Sequence, residues 1–426
     1  MTKERNYRHF DDPLPNTERS KGFKLNQFAP THRFLPLLGF TDEKRTVHRD
    51  DGGKLRTKIK PRPIRYAAHQ DAAYLQAYSE YLSGFYEKKL FAEGLEKSVL
   101  AYRPTGLTNI HHAKSLFDEI RSRGSCNVVA IDISGFFDTL DHLHLKTEIA
   151  SVISENRLDG HHWTAFRNTT HFSWVETTDL DEIIGKDRKS GSRICFPADF
   201  RRHVRGAKSG LVRVHDLDFG IPQGTPISGL YANLYLMSFD RAMIELMHQV
   251  GGSYRRYSDD IALAIPLEVS PREMVDIVQK ILADYKLSLS EHKTDISTFS
   301  GVPLACDEPI QYLGFVFDGK NTVIRESSLD RYREKMRKGI HAKLVVARQQ
   351  GIPLDKVYKR EALSRYTHLG KRRNFLKYAY RASDILEAPE IRHQVKGHMR
   401  WFNRSWNREI HKVGQRLNPN AVLTDA

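Results

Sequence analysis

The sequence predicts an α+β fold, and three observations carry that expectation. Short runs with the aliphatic, aromatic and β-branched make-up of strands occur at Val128–Ile133 and Tyr254–Ile265. Stretches with the three- to four-residue apolar spacing of helices occur at 70–89, 229–248, 270–286 and 327–350. Acidic residues mark both runs: Asp132 at the end of the first, and Asp259-Asp260 in the tight turn that joins the two short strands of the second.

In chain order, residues 1–40 mix Pro, Asn and charge with a few aromatics and show no sustained period, so they read as an extended arm. Gly52-Gly53 lies before an alternation of basic and apolar residues, Lys54-Leu55-Arg56-Thr57-Lys58-Ile59-Lys60-Pro61-Arg62. That pattern predicts a basic β-hairpin with Lys54, Arg56, Lys58, Lys60 and Arg62 on one face, suited to a triphosphate or a template strand. Lysines also protect solvated edge strands, so the pattern alone leaves both uses open. After a helix over 70–89, Val99 to Gly106 leads through Asn109 into a second helix ending near Arg121. His111-His112 has no third ligand at suitable spacing and reads as ordinary histidine.

The buried-type strand Val128–Ile131 runs into Asp132, with Phe137 and Asp138 just beyond. Residues 150–215 form a long insertion whose polar run Thr177 to Ser192 predicts a surface loop. In Phe219-Gly220-Ile221-Pro222-Gln223-Gly224-Thr225-Pro226-Ile227-Ser228, the glycines allow close backbone approach, while Gln223 and Ser228 offer hydrogen bonds suited to a base pair. The second strand run folds back at Ser258-Asp259-Asp260. Two adjacent carboxylates at the tip of an apolar hairpin repel each other and lose solvation unless cations neutralise them. With Asp132 beside them, the cluster suits two divalent cations roughly 3.5–4 Å apart, the arrangement that serves in-line phosphoryl displacement. Mg²⁺ takes oxygen ligands and keeps part of its water shell, so a few carboxylates and substrate phosphates suffice.

These blocks resemble the reverse transcriptases. Ala130–Asp138 is similar to the family's first palm motif, Pro222-Gln223-Gly224 to its Pro-Gln-Gly motif, and Tyr257-Ser258-Asp259-Asp260 to its Tyr-x-Asp-Asp hairpin. Leu287-Ser288-Leu289-Ser290-Glu291-His292-Lys293-Thr294 resembles the lysine-bearing motif, and Gln311-Tyr312-Leu313-Gly314-Phe315 the primer-grip strand. The blocks keep the family's order across residues 128–315. The resemblance implies a right-hand polymerase: an N-terminal arm (1–43), fingers (44–125), a palm of antiparallel sheet and helices (126–318, with the insertion at about 150–215) and a helical thumb (319–426). It implies Asp132, Asp259 and Asp260 as catalytic ligands of two Mg²⁺ ions, with Mn²⁺ as a substitute. It further implies Lys60, Arg62 and Lys293 as triphosphate contacts, Gln223 and Gly224 as the pocket floor, and Tyr312, Leu313 and Gly314 as the primer grip. Phe137 takes the position of the family's aromatic steric gate, which selects deoxynucleotides.

The Lys-x-Arg-Pro-Ile, Ala-Tyr-Arg and Tyr-Ser-Asp-Asp wording is similar to bacterial defence-associated enzymes of the formerly "unknown" groups. The Asn-Ala-x-x-His and Val-Thr-Gly signatures usual in retron enzymes are not found. The resemblance to the defence-associated enzymes implies action against bacteriophages, typical of that group, often with a dedicated noncoding RNA as template. Four readings stay open: an RNA-templated DNA polymerase using dNTPs to make cDNA on a partner RNA, a template-independent or protein-primed polymerase of the abortive-infection kind, a retron enzyme, and a non-catalytic RNA-binding module.

Composition sets the remaining limits. The chain has 426 residues, 40% of them hydrophobic, enough for two or three domains with ample cores. No run of about eighteen apolar residues predicts a membrane span, and Met1–Asn6 lacks a signal-peptide core, so a cytoplasmic location is expected. Cys126, Cys195 and Cys306 are widely separated and predict reduced core thiols. Ser327 to Arg416 carries 23 Lys plus Arg against 8 Asp plus Glu, so the whole excess of +15 sits there. Interleaved with aromatics, these cations suit a phosphate backbone, with Lys371, Arg372 and Arg373 as the densest cluster.

Overall fold

The computed structural model describes residues 7–15, 22–49, 55–184, 193–206, 210–290, 294–370 and 374–415, without the side chains of 44–49, 55–58 and Lys60. Its strands are β1 (Leu37–Arg49), β2 (Leu55–Tyr66), β3 (Cys126–Asp132), β4 (Ser173–Glu176), β5 (Arg213–Val214), β6 (Ser253–Tyr257), β7 (Asp260–Ile265), β8 (Asp295–Ser300), β9 (Ala305–Cys306), β10 (Ile310–Tyr312), β11 (Phe315–Phe317) and β12 (Thr322–Ile324). They form sheets in the orders β2-β1-β4-β5, β6-β7-β3-β8-β9 and β10-β11-β12. The described chain mixes helices with largely antiparallel sheets, as the α+β expectation requires.

The chain divides into two compact units. The first holds 1–104, 131–261 and 272–292. The expected hairpin is present: β1 and β2 pair antiparallel from Leu38↔Tyr66 to Arg49↔Leu55. The short β4 runs parallel to β1, and Leu38 and Val175 from these two strands enter a core with Phe10, Leu180, Phe200 and Val204. Leu180 belongs to a helix, Thr177–Ile184, where the sequence predicts a loop. The polar composition misleads there, because one buried leucine and the strand just before it supply the tertiary anchor.

The helix His69–Ala92 buries Tyr74, Tyr78, Leu82, Tyr86 and Leu90, while Glu80, Tyr81 and Phe91 stay exposed. The arm supplies its N-terminal cap: the Asp11 carboxylate accepts from the amides of His69 (2.9 Å) and Gln70 (2.8 Å). The predicted helix over 229–248 is two helices, Ser228–Tyr235 and Met237–Val250. They divide at Leu236, whose amide closes back on Asn233 O, a tighter turn than the α-helical ladder.

The second unit holds 105–130, 262–271 and 293–426. Here Cys126–Ala130 pairs antiparallel with β8. A core of Phe117, Val128, Phe299, Phe315, Phe317, Leu376 and Ile391 ties the helix Asn109–Arg123 and the β10-β11-β12 meander to the helices Phe375–Leu386 and Pro389–Val395. A separate core joins the long helices Glu326–Gln349 and His398–Gln415 through Met336, Ile340, Leu344, Phe402 and Trp406. Among the described residues, no helix is long and apolar enough to cross a membrane.

Candidate active site

Alternation along β6 buries Tyr254 and Arg256 and leaves Ser253, Arg255 and Tyr257 half-buried. Ser258 then adopts φ +64°, a left-handed conformation that turns the chain sharply into Asp259 and β7. Strand β7 is buried from Ile261 to Ile265, and β3 is buried from Cys126 to Ile131. In both strands burial stops at the carboxylate: Asp132, Asp259 and Asp260 are all half-buried.

The backbone brings these residues together. The Ile133 amide donates to the Asp259 carbonyl at 3.0 Å, so the end of β3 lies directly against the acidic turn. On its other side, Ser290 N donates to the Asp132 carbonyl (2.8 Å) and Ser290 Oγ to Asp132 Oδ2 (3.1 Å). Burial, then the nearby Tyr102 and the Asp260 charge, push the Tyr257 phenol above its ordinary value. Among the described residues, no three His, Cys, Asp or Glu side chains are gathered into a ready metal cage. The donor set at the turn is carboxylate oxygen alone, which fits a hard, water-keeping cation such as Mg²⁺ and not a thiolate- or imidazole-seeking one.

Phe137 lies in a short helix, Phe136–Thr139, half-buried with its ring 5.6 Å from that of Phe136. Its carbonyl accepts from Ile221 N at 2.8 Å, and Leu140 O accepts from Gly220 N at 2.8 Å. The gate candidate and the Pro-Gln-Gly block therefore share one backbone framework. Gly224 has φ +119°, and a Cβ there would stand 2.8 Å from Arg65 O at the base of the basic hairpin. The Arg65 amide also donates to Gln223 O at 2.8 Å. Gly224 is thus required by both its conformation and its neighbour. The Arg65 side chain pairs with Glu176 at 2.8 Å and stacks over Trp174; burial holds its guanidinium below the ordinary value, against the pull of Glu176.

One expectation fails here. Ser228 Oγ, expected to face a base pair, is buried; it donates to Pro222 O at 2.6 Å and shares a 2.6 Å bond with Thr225 Oγ1. The tight turn consumes the hydroxyl.

Arg62 is exposed on β2 opposite Asp42, while the side chain of Lys60 lies outside the described residues. Lys293 and the Lys371-Arg372-Arg373 cluster lie outside them too. In the second unit, the primer-grip candidates form a tight hairpin turn rather than a continuous strand. Leu313 (φ +47°) and Gly314 (φ +92°) connect β10 to β11, and Asn109 Nδ2 donates to Leu313 O at 3.1 Å. Tyr312 is only 2% exposed and packs into the core.

Two groups beside the acidic turn escaped the sequence reading. Arg256 is fully buried and bound to Asp240; the signal was its place on the same strand face as Tyr254. Tyr102, with φ +57°, lays its ring on Gly229, where a Cβ would come within 2.7 Å of it, and its hydroxyl reaches Ser258 Oγ at 3.3 Å. Arg103 beside it serves structure: it binds Glu87 and the carbonyls of Glu96 and Val99.

Residues 187–317 match the family described as reverse transcriptase (RNA-dependent DNA polymerase), a span that takes in the Pro-Gln-Gly block, the acidic turn and the β10-β11 hairpin. The match is to this span, which is similar to reverse transcriptase domains. No curated protein matches the chain in sequence. Among solved structures, apo telomerase from Candida tropicalis truncated from its C-terminal domain is similar at 10% identity and TM-score 0.42, covering 67% of this chain and 55% of that one. Telomerase from Candida albicans with a fragment of telomeric RNA is similar at 13% and 0.40, covering 90% and 64%. The RNA-dependent RNA polymerase of a human picobirnavirus, as an insertion-loop deletion mutant, is similar at 10% and 0.41, covering 89% and 64%. The chain spans less than two thirds of the length of each of these structures.

Proposed function

We propose that the chain makes DNA on an RNA template by two-metal nucleotidyl transfer at the turn bearing Asp259 and Asp260. One observation carries the reading: the Asp259 carbonyl is bonded to the Ile133 amide, one residue beyond Asp132, at the mouth of two adjacent buried strands. Asp132, Asp259 and Asp260 would hold Mg²⁺, with phosphate and water oxygens completing the shell. Bound there, the ions lower the pKa of a primer hydroxyl and neutralise the triphosphate. The 3′-oxygen forms its bond to the α-phosphorus as the bond to pyrophosphate breaks, and the hydroxyl proton passes to solvent. Gln223 and Gly224 floor the nucleotide pocket, Phe137 excludes a 2′-hydroxyl, and Arg62, Lys60 and Lys293 neutralise phosphates. Tyr312, Leu313 and Gly314 serve the primer, and the basic cluster at Lys371, Arg372 and Arg373 binds nucleic acid.

We infer further, from the Lys-x-Arg-Pro-Ile and Ala-Tyr-Arg wording, that the template is a partner noncoding RNA and the setting cytoplasmic antiphage defence in a bacterium. The test uses purified protein, its co-purifying RNA, labelled dNTPs and Mg²⁺. Wild type should yield labelled DNA complementary to that RNA, and Asp259→Ala with Asp260→Ala should yield none while still retaining the RNA. Synthesis by the double variant would remove the site assignment. Label that protease treatment removes from the DNA fraction would point to priming on the protein, and phage restriction equal in wild-type and variant cells would remove the defence role.

A further inference from the structure

The interior of the first unit holds a charged group that the proposed chemistry does not use. Arg256 and Asp240 are each fully buried. Taking both ions out of water costs several kcal/mol apiece, and apolar residues of similar volume often serve stability as well or better. A pair retained at such a cost has its meaning in geometry.

Four of the five N–H donors of the guanidinium fork have specified partners. Nε and Nη2 bind Asp240 bidentately, at 2.7 and 2.6 Å. Nη1 donates to Asn233 Oδ1 at 3.0 Å and to the Ser258 carbonyl at 3.2 Å. The partners are themselves locked: Asn233 Nδ2 donates to Ala101 O at 2.7 Å, and the Tyr254 hydroxyl donates to Asp240 Oδ1 at 2.5 Å. Burial alone would lower the Arg256 guanidinium, but the Asp240 charge outweighs it and keeps the group protonated.

The last of these bonds is the consequential one. Ser258, at φ +64°, turns its carbonyl inward onto Arg256, and the next residue is Asp259, whose own carbonyl accepts from Ile133 N. The peptides on both sides of the Asp259 Cα are therefore tied, one to a buried cation and one to the end of β3. Lysine could not replace this fork, because a single ammonium cannot meet Asp240, Asn233 and Ser258 in one plane.

We propose that Arg256, anchored by Asp240 and Asn233, is a positioning residue that fixes the backbone of the acidic turn and so aims the Asp259 carboxylate. This rests on the polymerase reading for its catalytic consequence, but not for its structural one. The test therefore has two arms. In ligand-free protein, hydrogen exchange of the Ile133 amide reports the turn directly. Arg256→Lys should speed that exchange at least about tenfold, the equivalent of one lost hydrogen bond to a charged group. Amides inside the helix Met237–Val250 should exchange as in wild type.

In primer extension, Arg256→Lys should lower kcat about 10- to 100-fold, the same loss expressed as a rate, with the KM for dNTP changed much less. If the lysine variant does not fold, Arg256→Met with Asp240→Leu and Tyr254→Phe removes the charges and the dependent hydroxyl together, and the same two losses are expected. Exchange at Ile133 that speeds only in step with the helix amides would reduce Arg256 to a stability role and overturn the proposal, as would a wild-type kcat. A wild-type protein that makes no DNA would instead sink the polymerase reading, and the exchange arm would still decide the positioning role.

Discussion

Gly224→Ala tests the link between the Pro-Gln-Gly turn and the basic hairpin. The new methyl would sit 2.8 Å from Arg65 O and 3.3 Å from Ile64 Cγ2, at a φ of +119° that L-residues rarely adopt. Holding alanine in that conformation costs about 1–3 kcal/mol. Relieving the collision separates the turn from β2 and breaks the bond from Arg65 N to Gln223 O, worth about 1 kcal/mol. The sum is about 2–4 kcal/mol, divided between stability and the position of Gln223. The assay pairs thermal melting with single-nucleotide primer extension: the melting temperature should fall, and kcat/KM for dNTP should fall at least about tenfold. Gly94→Ala is the control, since Gly94 has φ +69° but no atom within 4 Å of its added Cβ. It should show the strain alone and leave kcat/KM at wild type. Unchanged melting and unchanged kcat/KM in Gly224→Ala would refute the argument that the turn must lie against the Arg65 backbone.

Other outcomes follow from the same geometry. Asp132→Asn should lower DNA synthesis at least about a hundredfold, as for loss of a group that stabilises transition-state charge, while the melting temperature moves little; retained synthesis would exclude Asp132 from the chemistry. Phe137→Ala should let ribonucleotides compete with deoxynucleotides in primer extension, and unchanged sugar choice would place the gate elsewhere. His9 accepts from Phe10 N at Nδ1 and reaches Tyr66 O through Nε2, so it is buried in the neutral form, its pKa lowered from 6.5 to about 3 by burial. The unfolded chain therefore binds a proton that the folded chain refuses between those values. Stability should be full above 6.5 and fall with acid at about 1.4 kcal/mol per pH unit, about 2 kcal/mol by pH 5. Chemical denaturation of His9→Gln should show a shallower decline, and an unchanged slope would mean that other groups set it.

The residues that could be read directly were those whose local pattern broke a rule. Asp132 and Asp259-Asp260 stand where apolar strands end, and carboxylates in that setting demand an explanation; the hairpin at 253–265 and the strand at 126–132 lie where they were expected. What stayed hidden depends on distant partners. Arg256 shares a strand face with Tyr254, but nothing local names Asp240, sixteen residues earlier, as the partner that lets it be buried. Ser228 offers a hydroxyl to whatever is near, and nothing local reveals that Pro222 O takes it. The helix Thr177–Ile184 has a loop's composition and folds because Leu180 finds Leu38 and Val175. The turn at Leu313-Gly314 needs left-handed conformations at both residues, one of them a leucine that by itself predicts continued strand.

The cap that Asp11 places on the helix His69–Ala92 bears on how the protein is made. A ribosome delivers the carboxylate before the amides it will satisfy, so the segment carrying it must be held in reserve across nearly sixty residues of unfinished chain. The helix can close its first turn without waiting for anything still to be translated. Detaching residues 7–15 from an otherwise complete chain should therefore fray that helix from its leading end, opening Tyr74 and Tyr78 to solvent before any other part of the unit loosens.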